Sequence, residues 1–194
     1  MFPTTTLSVD PFWGPIGASV VAVPTNPFND DVSTHDTLRI MASLARRDAA
    51  SPEIQSLSQQ LLIGCTTPEQ FFQAVWYYVH QCLQFQQHED LIPQVLGTEG
   101  WDKQLLISPV TLLMLPQPSG DCAVFSTLVA SILTARGVKC LYKVIAADSS
   151  DPERWSHVYV VIPLRDDYYA MDTSHGKYPG WEHRTAFKEG LMPV

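Results

Sequence analysis

Residues 120–139, GDCAVFSTLVASILTARGVK, constrain this chain more than any other stretch. Between Asp121 and Arg136 there is no charged side chain, so a helix here has almost no polar face for water and is expected to be buried on nearly all sides. Gly137 supplies a left-handed cap, followed by Val138. At the other end, Ser119 and Asp121 offer side-chain oxygens to the free backbone amides of the first turn, and Gly120 permits a tight approach. Cys122 falls at or just inside the N-terminus. There, unpaired N–H groups and the positive end of the helix dipole favour thiolate over thiol. That makes Cys122 a candidate nucleophile, although many cysteines in apolar helices are inert small hydrophobes.

Composition narrows the function classes. A length of 194 residues suits one domain, and 45% hydrophobic with 16% charged residues describes an ordinary globular protein. The net charge of -8 and the lack of any basic cluster beyond Arg46-Arg47 exclude nonspecific nucleic-acid and anionic-membrane binding. Residues 1–15 have neither a charged leader nor a continuous apolar core, and no run approaches the length of a membrane span. The four cysteines, Cys65, Cys82, Cys122 and Cys140, show no CxxC spacing, which speaks against a zinc site and a disulfide scaffold. The expectation is a cytoplasmic, reduced protein, with packaging in a larger particle such as a virion as the alternative. The oligomeric state is open.

Along the chain, residues 1–35 read as an irregular arm with one strand at 18–23. A helix capped by Asp36 runs to about Arg47, a second opens at Pro52 and closes at Gly64, and a third starts at Thr67-Pro68-Glu69-Gln70. The aromatic stripe of this third helix, with Phe71, Phe72 and Trp76, reads as core, and His80 as a polar-face residue. A loop from His88 to about Lys103 is long enough to be functional, and Ser108-Pro109 starts a short helix. After the central helix the period becomes alternating, with strands expected at 140–147, 155–163 and 168–172. The short connections make them antiparallel neighbours.

A cysteine nucleophile needs a base to carry its proton, and the base needs a third group to fix its tautomer. Alternation places His157, Tyr159 and Val161 on one face of their strand. Asp172 closes the next strand. If the two strands pair through the turn at residues 165–167, carboxylate and imidazole become neighbours, and folding the sheet against the start of the Cys122 helix brings the three together.

Gly120-Asp121-Cys122, the Gly137-Val138 helix end, Ser156-His157-Val158-Tyr159-Val160 and Tyr169-Ala170-Met171-Asp172-Thr173 together resemble the transglutaminase-like superfamily core. The resemblance covers about residues 67–176. It implies a papain-like α+β fold in which N-terminal helices and a buried catalytic helix pack on a small antiparallel sheet. It also implies Cys122 as nucleophile, His157 as general acid/base and Asp172 as orienting carboxylate, acting on a protein or peptide substrate. Where family members often carry an aromatic residue soon after the histidine, this chain has Tyr159.

For the oxyanion, the backbone amide of Cys122 is the natural donor. Gln117, Gln104 and Trp101 are the candidates for a second donor, each to be set against an ordinary surface role. No cofactor is expected. His175 and His183 sit eight apart in an irregular tail without metal-ligand spacing, and the calcium used by vertebrate crosslinking enzymes of the superfamily is not carried over. The expected activity is cleavage of an amide or isopeptide bond through a thioester, because a small enzyme with a polar approach loop has no evident way to exclude water. Protein-glutamine crosslinking and a catalytically idle binding module are the alternatives.

Overall fold

The computed structural model describes residues 20–25, 30–87, 103–183 and 185–194. These form a mixed α+β protein. In chain order the elements are β1 (Val20–Pro24), α1 (Asp30–Ala49), α2 (Pro52–Leu62), α3 (Pro68–Cys82), β2 (Gln84–Phe85), β3 (Lys103–Ile107) and α4 (Pro109–Met114). They continue with β4 (Ser119–Gly120), α5 (Cys122–Thr134), β5 (Leu141–Ala146), β6 (His157–Pro163), β7 (Tyr168–Met171) and β8 (Lys188–Pro193).

The uncharged run becomes α5, and every residue from Ala123 to Leu133 is buried. Helices α1, α2, α3 and α4 pack around it, and β6 lies against its remaining side. This burial is the consequence of a helix apolar on all faces. Its C-terminal end is closed as the glycine suggests, with Gly137 at φ 72° and the Val138 amide donating to the Leu133 carbonyl at 3.1 Å. The entry to α3 is a capping box, in which the Thr67 hydroxyl and the Gln70 side chain accept each other's backbone N–H.

The four-stranded antiparallel sheet has the order β7-β6-β5-β8. Val158, Val160 and Ile162 of β6 join the core around α5, and the Ser126 hydroxyl ties the helix to the strand by donating to the Val158 carbonyl at 3.0 Å. The alternate residues Tyr159 and Val161 face the other way, with Ile145 and Ala170. Ala147 and the tail residue Ala186 cover that face. Among the described residues no helix is long and apolar enough to cross a membrane.

Three expectations need correction. Helix α1 begins at Asp30, not Asp36, so residues 30–35 do not belong to an irregular arm. Asp30 and Asp31 accept from the Trp155 backbone and indole N–H at 2.8 and 2.7 Å, contacts 125 and 124 residues apart that add support to the first turn. Strand β3, in the stretch between the expected loop and the Ser108-Pro109 helix, had no expected element, yet it pairs antiparallel with β1 from Val20↔Ile107 to Pro24↔Lys103. Strand β8, in the tail, pairs with β5 from Leu141↔Pro193 to Ala146↔Lys188. Its sequence KEGLMP carries no β-branched run, so pairing with β5 rather than propensity makes it a strand. The rest of the expected loop, residues 88–102, lies outside the described residues, and with it Trp101.

Candidate active site

The start of α5 is built from two directions. Asp121 is its N-cap, with Oδ1 accepting from the Ala123 and Val124 amides at 3.0 and 3.1 Å. Its second oxygen, Oδ2, accepts from Gln104 Nε2 at 2.7 Å. Gln104 lies on β3 opposite Val23, so the small β1-β3 sheet holds the residue preceding Cys122. Of the second-donor candidates, Gln104 is thus beside the cap, whereas Gln117 is exposed in the bend after α4. On the other side, β4 pairs parallel with β2, Gln84↔Ser119 and Phe85↔Gly120.

Gly120 is required by packing, because a Cβ there would sit 2.5 Å from both Cβ and Cγ1 of Val124. Gly120→Ala is therefore expected to cost about 1–3 kcal/mol in urea unfolding by overpacking. Adding Val124→Ala should recover less of that loss than its own cavity costs elsewhere, but the pair must be non-additive; strict additivity would mean the clash is relieved by another route.

His157 is the first residue of β6 and is 8% exposed. Its Nε2 donates to Asp172 Oδ2 at 2.9 Å, and Cys122 lies near enough to the imidazole to raise its pKa. With Nε2 engaged by Asp172, Nδ1 is the nitrogen left to face the sulfur. Asp172 follows β7 directly. The β6–β7 register, Val160↔Met171, continues so that Asp172 lies diagonally across from His157 on the same face.

Asp172 is 1% exposed and fully engaged. Its Oδ1 accepts from the Ser174 amide, the Ser174 hydroxyl and the His175 amide at 3.2, 3.1 and 2.9 Å. Helix α3 holds the backbone here: the Trp76 indole donates to the Asp172 carbonyl at 2.8 Å, and His80 Nδ1 donates to the Thr173 carbonyl at 3.0 Å. Trp76 and His80 stack with ring centroids 4.4 Å apart. The aromatic stripe is core, as expected, but its Trp76, with the exposed His80, also fixes the carboxylate's strand end. Gly176 has no room for a Cβ, which would collide with the Asp172 carbonyl oxygen.

Burial alone would lower the His157 pKa, but the Asp172 carboxylate and the Cys122 side chain outweigh it and raise it from 6.5 to about 10. Burial alone would raise that of Asp172, yet the His157 hydrogen bond and charge hold it well below the usual carboxylate range. For His157, with a raised folded pKa, the stabilisation is complete below pH 6.5 and is lost as pH rises towards 10. For Asp172, with a lowered one, it is complete above pH 3.8 and is lost as pH falls below that. The stability difference between the wild type and Asp172→Asn, followed by thermal unfolding, should be flat from pH 3.8 to 6.5 and shrink on both sides. A difference that grows from pH 7 to 10 would contradict the pairing.

Residues the sequence left in the tail surround this pair. The His175 ring lies 4.6 Å from that of His157 and 4.8 Å from that of Phe85. The His183 ring is 6.1 Å from His157 and 5.0 Å from Trp181. Tyr159 stacks on His157 at 5.6 Å, and its hydroxyl donates to Glu182, which also holds the Lys143 ammonium at 2.6 Å. A cavity of about 380 Å³ opens here between Lys143, Tyr178, Trp181 and His183. The sequence carried one signal for His175: in Asp172-Thr-Ser-His, an aspartate followed two and three residues on by free amides is an Asx turn that returns the histidine to the carboxylate. Nothing local pointed to His183, Lys143 or Glu182.

No protein-family model matches the chain, and no curated protein matches it. Among solved structures it is similar to a protein from Cytophaga hutchinsonii described as a candidate cysteine protease, at 13% identity with a TM-score of 0.48. The match covers 80% of this chain and 48% of that one, so the chain spans about half the length of its structural neighbour.

Proposed function

We propose that this chain is a cysteine-nucleophile acyl-transfer enzyme with a papain-like, transglutaminase-core architecture in a single domain. The observation that supports this reading is the buried His157–Asp172 hydrogen bond, with Cys122 at the start of a buried helix near enough to raise the pKa of the same imidazole. Cys122 is the nucleophile, His157 the general acid/base and Asp172 the group that fixes the Nε2–H tautomer and balances the imidazolium. The substrate is an amide or isopeptide in a protein or peptide.

The Cys122 sulfur forms a bond to the carbonyl carbon, and the carbonyl π electrons move to oxygen. The Cys122 amide, at the start of α5, is a donor for that oxyanion, since Ala123 and Val124 are occupied by Asp121. Gln104 is the second donor proposed: its Nε2 holds Asp121 at 2.7 Å and makes only a long contact, 3.4 Å, to the Leu105 carbonyl, from which that N–H turns to the oxyanion. Collapse breaks the C–N bond, and His157 protonates the departing amine. Water then attacks the thioester while His157 takes its proton, the C–S bond breaks and an acid is released. Hydrolysis is preferred to transfer because Cys122 is only half-buried and His175, beside His157, is exposed.

The test has two arms. Iodoacetamide near neutral pH should alkylate Cys122 ahead of the exposed Cys82, and equal rates would sink the nucleophile reading. A labelled primary amine, offered with a glutamine-containing protein, separates the chemistry: new N-termini or released ammonia indicate hydrolysis, and incorporation of label indicates crosslinking-type transfer.

A further inference from the structure

We infer that His157, Asp172 and His175 form a binding site for a borderline-soft divalent cation of the zinc class, and that its occupation displaces the His157–Asp172 hydrogen bond and disables the proton relay. One ring nitrogen from each histidine and one Asp172 carboxylate oxygen all lie within 4.8 Å of one another. Two imidazoles and a carboxylate with an open fourth position are a donor set that suits zinc, whereas magnesium and calcium favour oxygen-rich shells.

The surroundings orient these donors as ligands need to be oriented. Asp172 Oδ1 is locked by Ser174 and His175, which leaves Oδ2 on the His157 side. The Ser174 hydroxyl donates to Asp172, so it accepts from His175 Nδ1–H at 3.1 Å. That tautomer puts the free lone pair of His175 on Nε2. His175 is exposed, so it can close the remaining distance by rotating. The cost is the proton on His157, which must leave for the solvent when the cation binds.

The off-switch rests on the reading above, whereas the binding does not. The test is calorimetric titration of the intact, metal-free protein with zinc chloride and with magnesium chloride. The expected result is one zinc per chain and no magnesium binding. His175→Gln should weaken zinc by at least about 100-fold, while His175→Asp, which restores a donor, keeps it. Cys122→Ser should keep it as well. Zinc binding that survives His175→Gln, or that disappears in Cys122→Ser, overturns the site by assigning the metal to a thiol. Turnover blocked by zinc in the wild type but not in His175→Gln supports the switch, and equal inhibition of both overturns it. If no amide substrate turns over while zinc binds in this pattern, the enzymatic reading fails and the cation site stands.

Discussion

Cys122→Ser is expected to lower kcat on an amide substrate by at least about 10⁴-fold while leaving the melting temperature unchanged. Serine is nearly isosteric, and Cys122 lies outside the fully buried part of α5, so its effect on stability should be within about 0.5 kcal/mol. The chemical effect is large because an alcohol holds its proton far more tightly than a thiol, and His157 cannot carry that proton in the resting state. Because substrate contacts remain, the loss should appear in kcat more than in KM. A variant that turns over at more than about a tenth of the wild-type rate would remove Cys122 from the chemistry. Unchanged stability with lost turnover distinguishes a nucleophile from a packing residue.

Asp172→Ala is expected to be damaging in both respects. It removes the acceptor for four donors: His157 Nε2, the Ser174 amide and hydroxyl, and the His175 amide. At 1% exposure little water can replace it, so the cost should be about 3–5 kcal/mol, the range for breaking one side of a buried ion pair. Asp172→Asn separates the two roles. The amide oxygen can still accept from the Ser174 and His175 donors, so more of the stability survives. Its NH₂ then faces His157 Nε2 and demands the opposite tautomer, so activity should still fall by about 10⁴-fold. Urea unfolding of both variants beside kcat measures the split. An Asn variant with wild-type turnover would mean that the carboxylate only packs.

These effects bear on what was legible beforehand. The burial of α5, its caps at Asp121 and Gly137, the capping box of α3 and the face of β6 carrying His157 and Tyr159 all follow from local rules. Charge-free runs, left-handed glycines and period-two alternation act over a few residues. The short turn between β6 and β7 is local too, which is why Asp172 could be put beside His157 from sequence. Strands β3 and β8 were missed because their partners, β1 and β5, lie far away in the chain and their own propensities are weak. The start of α1 was misplaced for the same reason, as Trp155 supports it from more than a hundred residues away.

What the sequence determined by itself is a buried helix that begins at a cysteine, followed by two adjacent strands bearing a histidine and an aspartate. Each statement needs only neighbours in the chain. What tertiary structure decided is everything that surrounds this line. It ties Gln104 to the Asp121 cap, clamps the Asp172 backbone with Trp76 and His80, and sets His175 and His183 against the imidazole. The physical reason is that local periodicity specifies which face of an element a side chain occupies. Which side chains meet across that face depends on burying the apolar surfaces of distant elements together, and no short window of sequence records that sum.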